Sequence, residues 1–122
     1  MTTAEKLVRV AQTDGTFRRV GPNWVGKCLL CNGPIAFDAL SGEGATLEHI
    51  RARGRGGTDD LENLGVVHAR CNHEKGRRWD PKRRRTAAEY DPFIARLLQR
   101  RHHRWRDPAA HAVDRDPPAG AQ

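Results

Sequence analysis

Two pairs of metal-type side chains constrain this 122-residue chain more than any other feature. Cys28-Leu-Leu-Cys31 and His68-Ala-Arg-Cys71 share the same internal gap and start 40 positions apart. Zinc takes four tetrahedral nitrogen or sulfur ligands, commonly supplied as two close pairs. The spacing predicts a Cys3His structural zinc site that clamps an N-terminal knuckle to the start of a helix after His68. A staple of this kind suits the composition. Aromatic residues are 6% and apolar residues 37% of the chain, so the core is small. An odd count of three cysteines argues against a disulfide framework, and in a reducing compartment a CxxC is better read as metal-binding.

The formal net charge is +7 and the isoelectric point about 10.2. Such a chain is expected to meet a polyanion, nucleic acid ahead of a membrane surface. No apolar run approaches the roughly 20 residues that span a bilayer. The start, MTTAEKLVRV, lacks the basic-then-apolar layout of a secretion signal. The expectation is a soluble cytoplasmic protein with no membrane partner.

Along the chain, residues 7–20 read LVRVAQTDGTFRRV. Short β-prone runs flank Asp14-Gly15 and predict a hairpin, with a helix over residues 3–12 as the competing reading. Gly21-Pro22 breaks the chain. Cys28 to Pro34 reads as a zinc knuckle closed by Gly33 and Pro34, residues 35–37 as a short strand, and Leu40 to Gly44 as a turn. A strand is expected from Ala45 to Ile50, a Gly- and Arg-rich loop from Arg51 to Asp60, and a second strand from Leu64 to Val67. A helix should run from Ala69 to about Arg78, with Pro81 beyond its end. Asp91 reads as the N-cap of a last helix, with Pro92 in its first position. There Phe93, Ile94, Leu97, Leu98 and Trp105 form one apolar stripe, and Arg96, Arg100, Arg101 and Arg104 lie off it.

Glu48-His49-Ile50, Gly56-Gly57-Thr58-Asp59, Glu62-Asn63-Leu64 and Cys71-Asn72-x-x-Lys75 occur in an order and spacing that resembles the HNH endonuclease family. The resemblance covers roughly residues 24–79. It implies an α+β fold with a ββα-metal (His-Me finger) centre, often braced by a zinc site of two CxxC pairs. By that resemblance His49 is the general base that deprotonates the attacking water. Glu48 and Asn72 are the ligands of a catalytic divalent metal, Mg²⁺ or a similar ion. Asn63 holds the loop of the base and orients the histidine, and Cys28, Cys31 and Cys71 fall on structural zinc ligands. The chain departs from the family in three places. Glu48 stands where Asp is more usual, Asn72 makes an H-N-N signature, and His68 replaces a zinc-binding Cys. Imidazole is itself a good zinc ligand.

The chemistry is consistent with these roles. Phosphodiester cleavage needs an activated water, charge neutralisation on the phosphate and help for the leaving oxygen. Histidine accepts protons near neutral pH, and hard divalent ions prefer oxygen ligands such as those of Glu48 and Asn72. The expected reaction is one-metal hydrolysis leaving 5′-phosphate and 3′-hydroxyl ends. One site per chain predicts nicking, and a double-strand cut then needs a homodimer, a larger nuclease assembly or two events.

Residues 77–106 hold 11 of the 22 Lys and Arg against three acids. That excess predicts salt-sensitive phosphate binding to DNA, double-stranded and with weak sequence preference. Arg77, Arg78, Arg83, Arg84 and Arg85 belong to it, together with Lys75 on the preceding helix. Arg51, Arg53 and Arg55 are expected to grip phosphates beside His49. His73 reads as a phosphate contact or plain surface, and His102 and His103 as part of a basic face. The expected layout is an N-terminal hairpin extension over 1–23, the nuclease core over 24–79, a basic helical region over 80–106 and a disordered tail over 107–122. Two other functions fit the same features: a non-catalytic zinc-containing nucleic-acid-binding protein, and a basic adaptor in a bacterial or phage-encoded packaging or restriction complex.

Overall fold

A computed structural model of the chain describes residues 1–80 and 85–108. Its elements run α1 (Thr3–Gln12), β1 (Arg18–Val20), β2 (Asn23–Lys27), β3 (Pro34–Asp38), β4 (Thr46–His49), β5 (Leu64–Val67), α2 (Ala69–Arg78) and α3 (Ala87–His103). Two short 3-10 turns, Arg53–Arg55 and Leu61–Asn63, lie between β4 and β5. The fold is α+β, with an antiparallel β1-β2-β3 sheet and a separate antiparallel β4-β5 pair.

The N-terminus corrects the hairpin expectation. Thr3–Gln12 is helical. Thr2 and Glu5 form a capping box, in which the Glu5 N–H donates to Thr2 Oγ1 and the Thr2 N–H to Glu5 Oε1. Ala4, Leu7, Val10 and Ala11 recur at helical spacing and are buried. A full apolar stripe with a paired cap outweighs the β propensity of two valines. Asp14-Gly15 instead turns the chain out of the helix, with Asp14 Oδ1 accepting from the Thr16 N–H and hydroxyl. The hairpin forms further on, between β1 and β2, with Gly21-Pro22 as its turn and Gly21 at φ +58°.

The second sheet follows expectation. β4 and β5 pair with Glu48 opposite Gly65 and His49 opposite Leu64. All four residues of β5 are buried, and Gly65 leaves room for the Leu29 side chain, which a Cβ there would strike. α1 packs over β4 and β5, and α2 packs on β4. The core gathers Leu7, Val10, Phe17, Trp24, Leu29, Ile50, Val66, Tyr90 and Ile94.

The last helix begins earlier than expected. Thr86 is its N-cap, in a capping box with Glu89, so Asp91 and Pro92 lie inside the helix. A reciprocal cap with Glu at the third position is a stronger start signal than an Asp-Pro pair, even though Pro92 forfeits one main-chain donor. Arg101 is also corrected: it is 1% exposed and shares the inner face with Tyr90, Ile94 and Leu97. Its guanidinium donates to the carbonyls of Leu64 (2.7 Å), Leu61 (3.1 Å) and Thr13 (3.1 Å), and to the Thr13 hydroxyl. The expected tail falls almost wholly on residues 109–122, outside the described residues.

Removing the buried Arg101 fork takes several donors from acceptors that water cannot reach. Arg101→Met should lower the unfolding free energy by about 1–3 kcal/mol, read from the urea midpoint. The exposed Arg96→Ala should change it by no more than about 0.5 kcal/mol. An Arg101→Met midpoint equal to wild type would show that the buried guanidinium does not hold these elements together.

Candidate functional site

The knuckle between β2 and β3 is a tight backbone turn. The Cys28 N–H donates to the Gly33 carbonyl at 2.8 Å and the Asn32 N–H to the Cys28 carbonyl at 2.8 Å, with Asn32 at φ +65°. Main-chain donors also face the sulfurs: the Gly33 N–H lies 3.4 Å from Cys31 Sγ and the His68 N–H 3.4 Å from Cys28 Sγ. His68 is the N-cap residue of α2 but makes no side-chain cap, so its ring is free to turn inward. Nε2 donates to the Pro34 carbonyl at 3.0 Å, which leaves Nδ1 as the ligand atom, 3.4 Å from Cys31 Sγ and 3.8 Å from Cys71 Sγ.

The four ligand atoms of Cys28, Cys31, His68 and Cys71 all lie within 4.8 Å of one another. A zinc tetrahedron with bonds of about 2.0–2.3 Å has edges of roughly 3.5–3.8 Å, so the group can hold a zinc ion with small adjustments. Its acid–base balance agrees. The Gly33 N–H holds the Cys31 thiol down to about 7, against the opposing effect of burial. Burial pushes Cys71 up to about 12, and the charge of the neighbouring Cys28 adds to it. A divalent cation removes that conflict by stabilising every thiolate at once.

Beyond Cys71, α2 carries Asn72 and Lys75. Lys75 is 3% exposed, which corrects the expectation that it meets phosphate. Its ammonium pairs with Glu48 Oε2 at 2.6 Å and with Asp80 Oδ1 at 3.0 Å, and donates to the His49 carbonyl at 3.2 Å. Glu48 is itself 6% exposed. Burial raises its pKa above the ordinary carboxylate value, while Lys75 works in the opposite direction. The Tyr90 hydroxyl accepts from the Ala52 N–H (3.0 Å) and donates to Asp80 (3.3 Å), so α3 also supports this cluster. Asn72 is half-buried and lies three residues before Lys75 on the helix that packs on β4.

Consecutive strand residues point to opposite faces, and His49 turns away from Glu48. Its Nε2 lies 2.7 Å from Asp59 Oδ1, which also accepts from Arg53 Nη2 at 2.8 Å. Arg53 Nε lies 3.3 Å from the same histidine nitrogen. One nitrogen cannot both donate to Asp59 and accept from Arg53. The shorter contact to a carboxylate assigns the proton to Nε2, leaving Nδ1 as the proton acceptor. Contact with His49 and Arg53 keeps the Asp59 carboxyl below its usual pKa.

The loop after His49 is braced by Asn63. Its Oδ1 accepts from the Arg51 N–H at 2.9 Å, and its Nδ2 donates to the carbonyls of Arg51 (3.1 Å) and Thr58 (2.7 Å). Gly57 lets the loop close, because a Cβ there would fall 1.7 Å from the Arg51 carbonyl oxygen.

The expected DNA-contacting arginines fall into different settings. Arg53 is exposed beside His49. Arg51 pairs with Asp91 at 3.0 Å. Arg55 donates to the carbonyls of Asp80 and Arg85 and lies 4.1 Å over the Tyr90 ring. Arg77 and Arg78 are exposed and pair with Glu74. Arg85 covers the Trp79 ring at 4.5 Å. Arg83 and Arg84 lie outside the described residues. His73, His102 and His103 are exposed. Arg100 on α3 binds the Leu29 and Leu30 carbonyls, and the helix's C-cap residue Arg104 the Lys27 carbonyl and Asn32, so these two brace the knuckle.

The structure adds residues that sequence reasoning missed. Lys6 and Arg9 of α1 line one groove with His49, Arg53 and Asp59. Their i, i+3 spacing beside the apolar stripe was the available signal, hidden by the hairpin reading. Asp59 belongs to the Gly56-Gly57-Thr58-Asp59 motif but reaches His49 only through loop closure, and Asp80 pairs with Lys75 five residues before it; neither carried a signal of that role.

Residues 23–78 match the family model described as HNH endonuclease. The match starts at β2 and ends with α2, so α1 and α3 lie outside it. Comparison with curated proteins and with solved structures found no match. Among the described residues, no helix is long and apolar enough to cross a membrane.

The four-ligand group predicts one zinc per chain in protein purified without chelator, read by elemental analysis. Cys71→Ser should lower the zinc content, and chelator should reduce the thermal midpoint of wild type more than that of the variant. Zinc-free wild type with an unchanged midpoint would count against the site.

Proposed function

We propose, from the premise that residues 23–78 form an HNH endonuclease domain, that the chain is a metal-dependent endonuclease that nicks DNA. The observation that carries this reading is the setting of His49. Its imidazole stands at the end of β4, held through Nε2 by Asp59 and followed by a loop that Asn63 ties at both ends. A neutral imidazole so oriented offers Nδ1 to a water molecule and takes its proton as the oxygen attacks phosphorus. Asn63 acts through the loop rather than on the substrate, as a positioning residue.

Glu48 and Asn72 are the proposed holders of the catalytic divalent ion, Mg²⁺ or a similar metal. Both offer oxygen, the donor such ions prefer. When bound, the ion supplies charge neutralisation at the phosphate and the leaving oxygen. The residues fit in donor type with two qualifications: at Glu48 an ion competes with the Lys75 ammonium 2.6 Å away, and His49 turns to the other face of β4, so one phosphate must be reached from both sides of the strand end. The proposed products carry 5′-phosphate and 3′-hydroxyl ends. Arg53 beside His49, and Arg77 and Arg78 on α2, are proposed phosphate contacts that exchange Asp59 or Glu74 for DNA. Arg51, Arg55 and Arg85 are proposed as the outer part of the same basic surface, and Arg83 and Arg84, outside the described residues, as further phosphate contacts.

The Glu48–Lys75 pair also favours a second reading. A buried carboxylate neutralised by lysine is a structural pair, and the chain is then a zinc-braced nucleic-acid-binding protein without catalysis. Supercoiled plasmid separates the two. Zinc-loaded wild type with Mg²⁺ or Mn²⁺ at low salt should yield open circles. His49→Ala should slow nicking by at least about 100-fold, the scale of general-base catalysis, while duplex binding persists. Plasmid that stays supercoiled with wild type sinks the nuclease reading and leaves the binding reading standing.

A further inference from the structure

The cavity that receives His49 has a volume of about 300 Å³. One wall is the loop, with Arg53 and Asp59. The other is α1, which presents Lys6 and Arg9. Leu47, from the same strand as His49, adds apolar surface to it. α1 lies outside residues 23–78, so this wall is an addition to the nuclease domain.

Three features of the wall point to one kind of occupant. Lys6 and Arg9 are three residues apart on a helix, so they share a side, next to the stripe of Ala4, Leu7, Val10 and Ala11 that seats α1 on the second sheet. Both are exposed, and among the described residues neither forms an ion pair; Arg9 meets only Met1 Sδ, at 4.0 Å. The cavity therefore carries three fixed cations, Lys6, Arg9 and Arg53, against the single carboxylate of Asp59, which His49 and Arg53 already share. The helix is also held firmly. Arg106 donates to the carbonyls of Ala11, Gln12 and Phe17, and Arg101 to that of Thr13, so the last turn of α1 is tied to the end of α3.

We infer that Lys6 and Arg9 form a phosphate clamp that seats the DNA backbone beside His49. Unpaired cations on a rigid wall, lining one cavity with the imidazole proposed to activate water, are placed to bind the phosphates that flank the cut. The clamp rests on the proposed nuclease reading for its role in cleavage, but its existence is a matter of binding and is tested as such.

The experiment measures affinity of the zinc-loaded full chain for a short fluorescein-labelled duplex across a sodium chloride series. Each phosphate contact contributes about 0.9 to the slope of log K against log salt. The double variant Lys6→Ala/Arg9→Ala should lower the slope by about 1.8. Lys6→Arg/Arg9→Lys should keep the wild-type slope. Arg18→Ala/Arg19→Ala removes the same net charge from exposed positions outside the cavity, and its slope should stay near that of wild type. Circular dichroism checks that each variant is folded. A clamp variant whose slope matches the Arg18→Ala/Arg19→Ala control overturns the proposal, as does wild type that fails to bind duplex. Wild type that binds through the clamp without nicking plasmid overturns the nuclease reading alone.

Discussion

The buried guanidinium of Arg101 is the interaction on which the arrangement of the site depends. It joins three separate parts of the chain: the end of α1 at Thr13, the 3-10 turn at Leu61 and the first residue of β5 at Leu64. All of these acceptors are oxygens; the Thr13 carbonyl also accepts from the Arg106 N–H and the Leu61 carbonyl from the Leu64 N–H, so the guanidinium adds second donors at the ends of these elements. A planar fork with five donors can satisfy several at once, which a lysine cannot. Burial depresses the Arg101 pKa and the nearby Asp14 opposes that shift, so the cation is kept by field and hydrogen bonds together. Because β5 pairs with β4, fixing α1 against β5 also fixes it against the strand that ends in His49.

A second constraint acts from the other side. The Cys28, Cys31, His68 and Cys71 group links the β2-β3 turn to the first turn of α2. Its position determines where Asn72 and Lys75 stand, because α2 is a single rigid helix of ten residues. The division of labour within HARCNHEKG follows. His68 and Cys71 face the knuckle, while Lys75, one turn on, lies under β4 against Glu48. Arg100 and Arg104 then tie the outer side of the knuckle to α3. The basic helix thus spends much of its charge on internal carbonyls, and a count of arginines overstates the charge left free at the surface.

What could be read in advance was local. β5 and α2 lie within the expected bounds, because a run of Leu-Gly-Val-Val followed by a ligand pair at helical spacing has one good conformation. The four zinc-type ligands were legible for the same reason: their spacing is a property of the chain. The start of α1 was legible too, in Thr2 and Glu5, but the alternation in Leu7-Val8-Arg9-Val10 also satisfies a strand, and periodicity over four residues does not decide between them. The start of α3 was misread because Asp91-Pro92 imitates a cap five residues inside the helix. The burial of Lys75 and Arg101 could not be read at all. Their partners lie 26 to 88 residues away in places, and charge alone predicts exposure.

The geometry of β4 explains why the surroundings of the site are so asymmetric. Glu48 and His49 are neighbours in sequence, yet the strand period sends them to opposite faces. Each face is completed by a different helix. α2 closes the Glu48 side and supplies a lysine, which compensates a carboxylate whose burial disfavours its charge. α1 borders the His49 side and supplies two cations without carboxylate partners, which leave the cavity positive and open to solvent. The same strand end is therefore neutralised on its inner face and electropositive on its outer one. That polarity does not come from the signature residues, since His49 and Glu48 could sit on any two-stranded ribbon. It comes from where α1 and α2 are anchored, by Arg101 in one case and by the Cys/His group in the other.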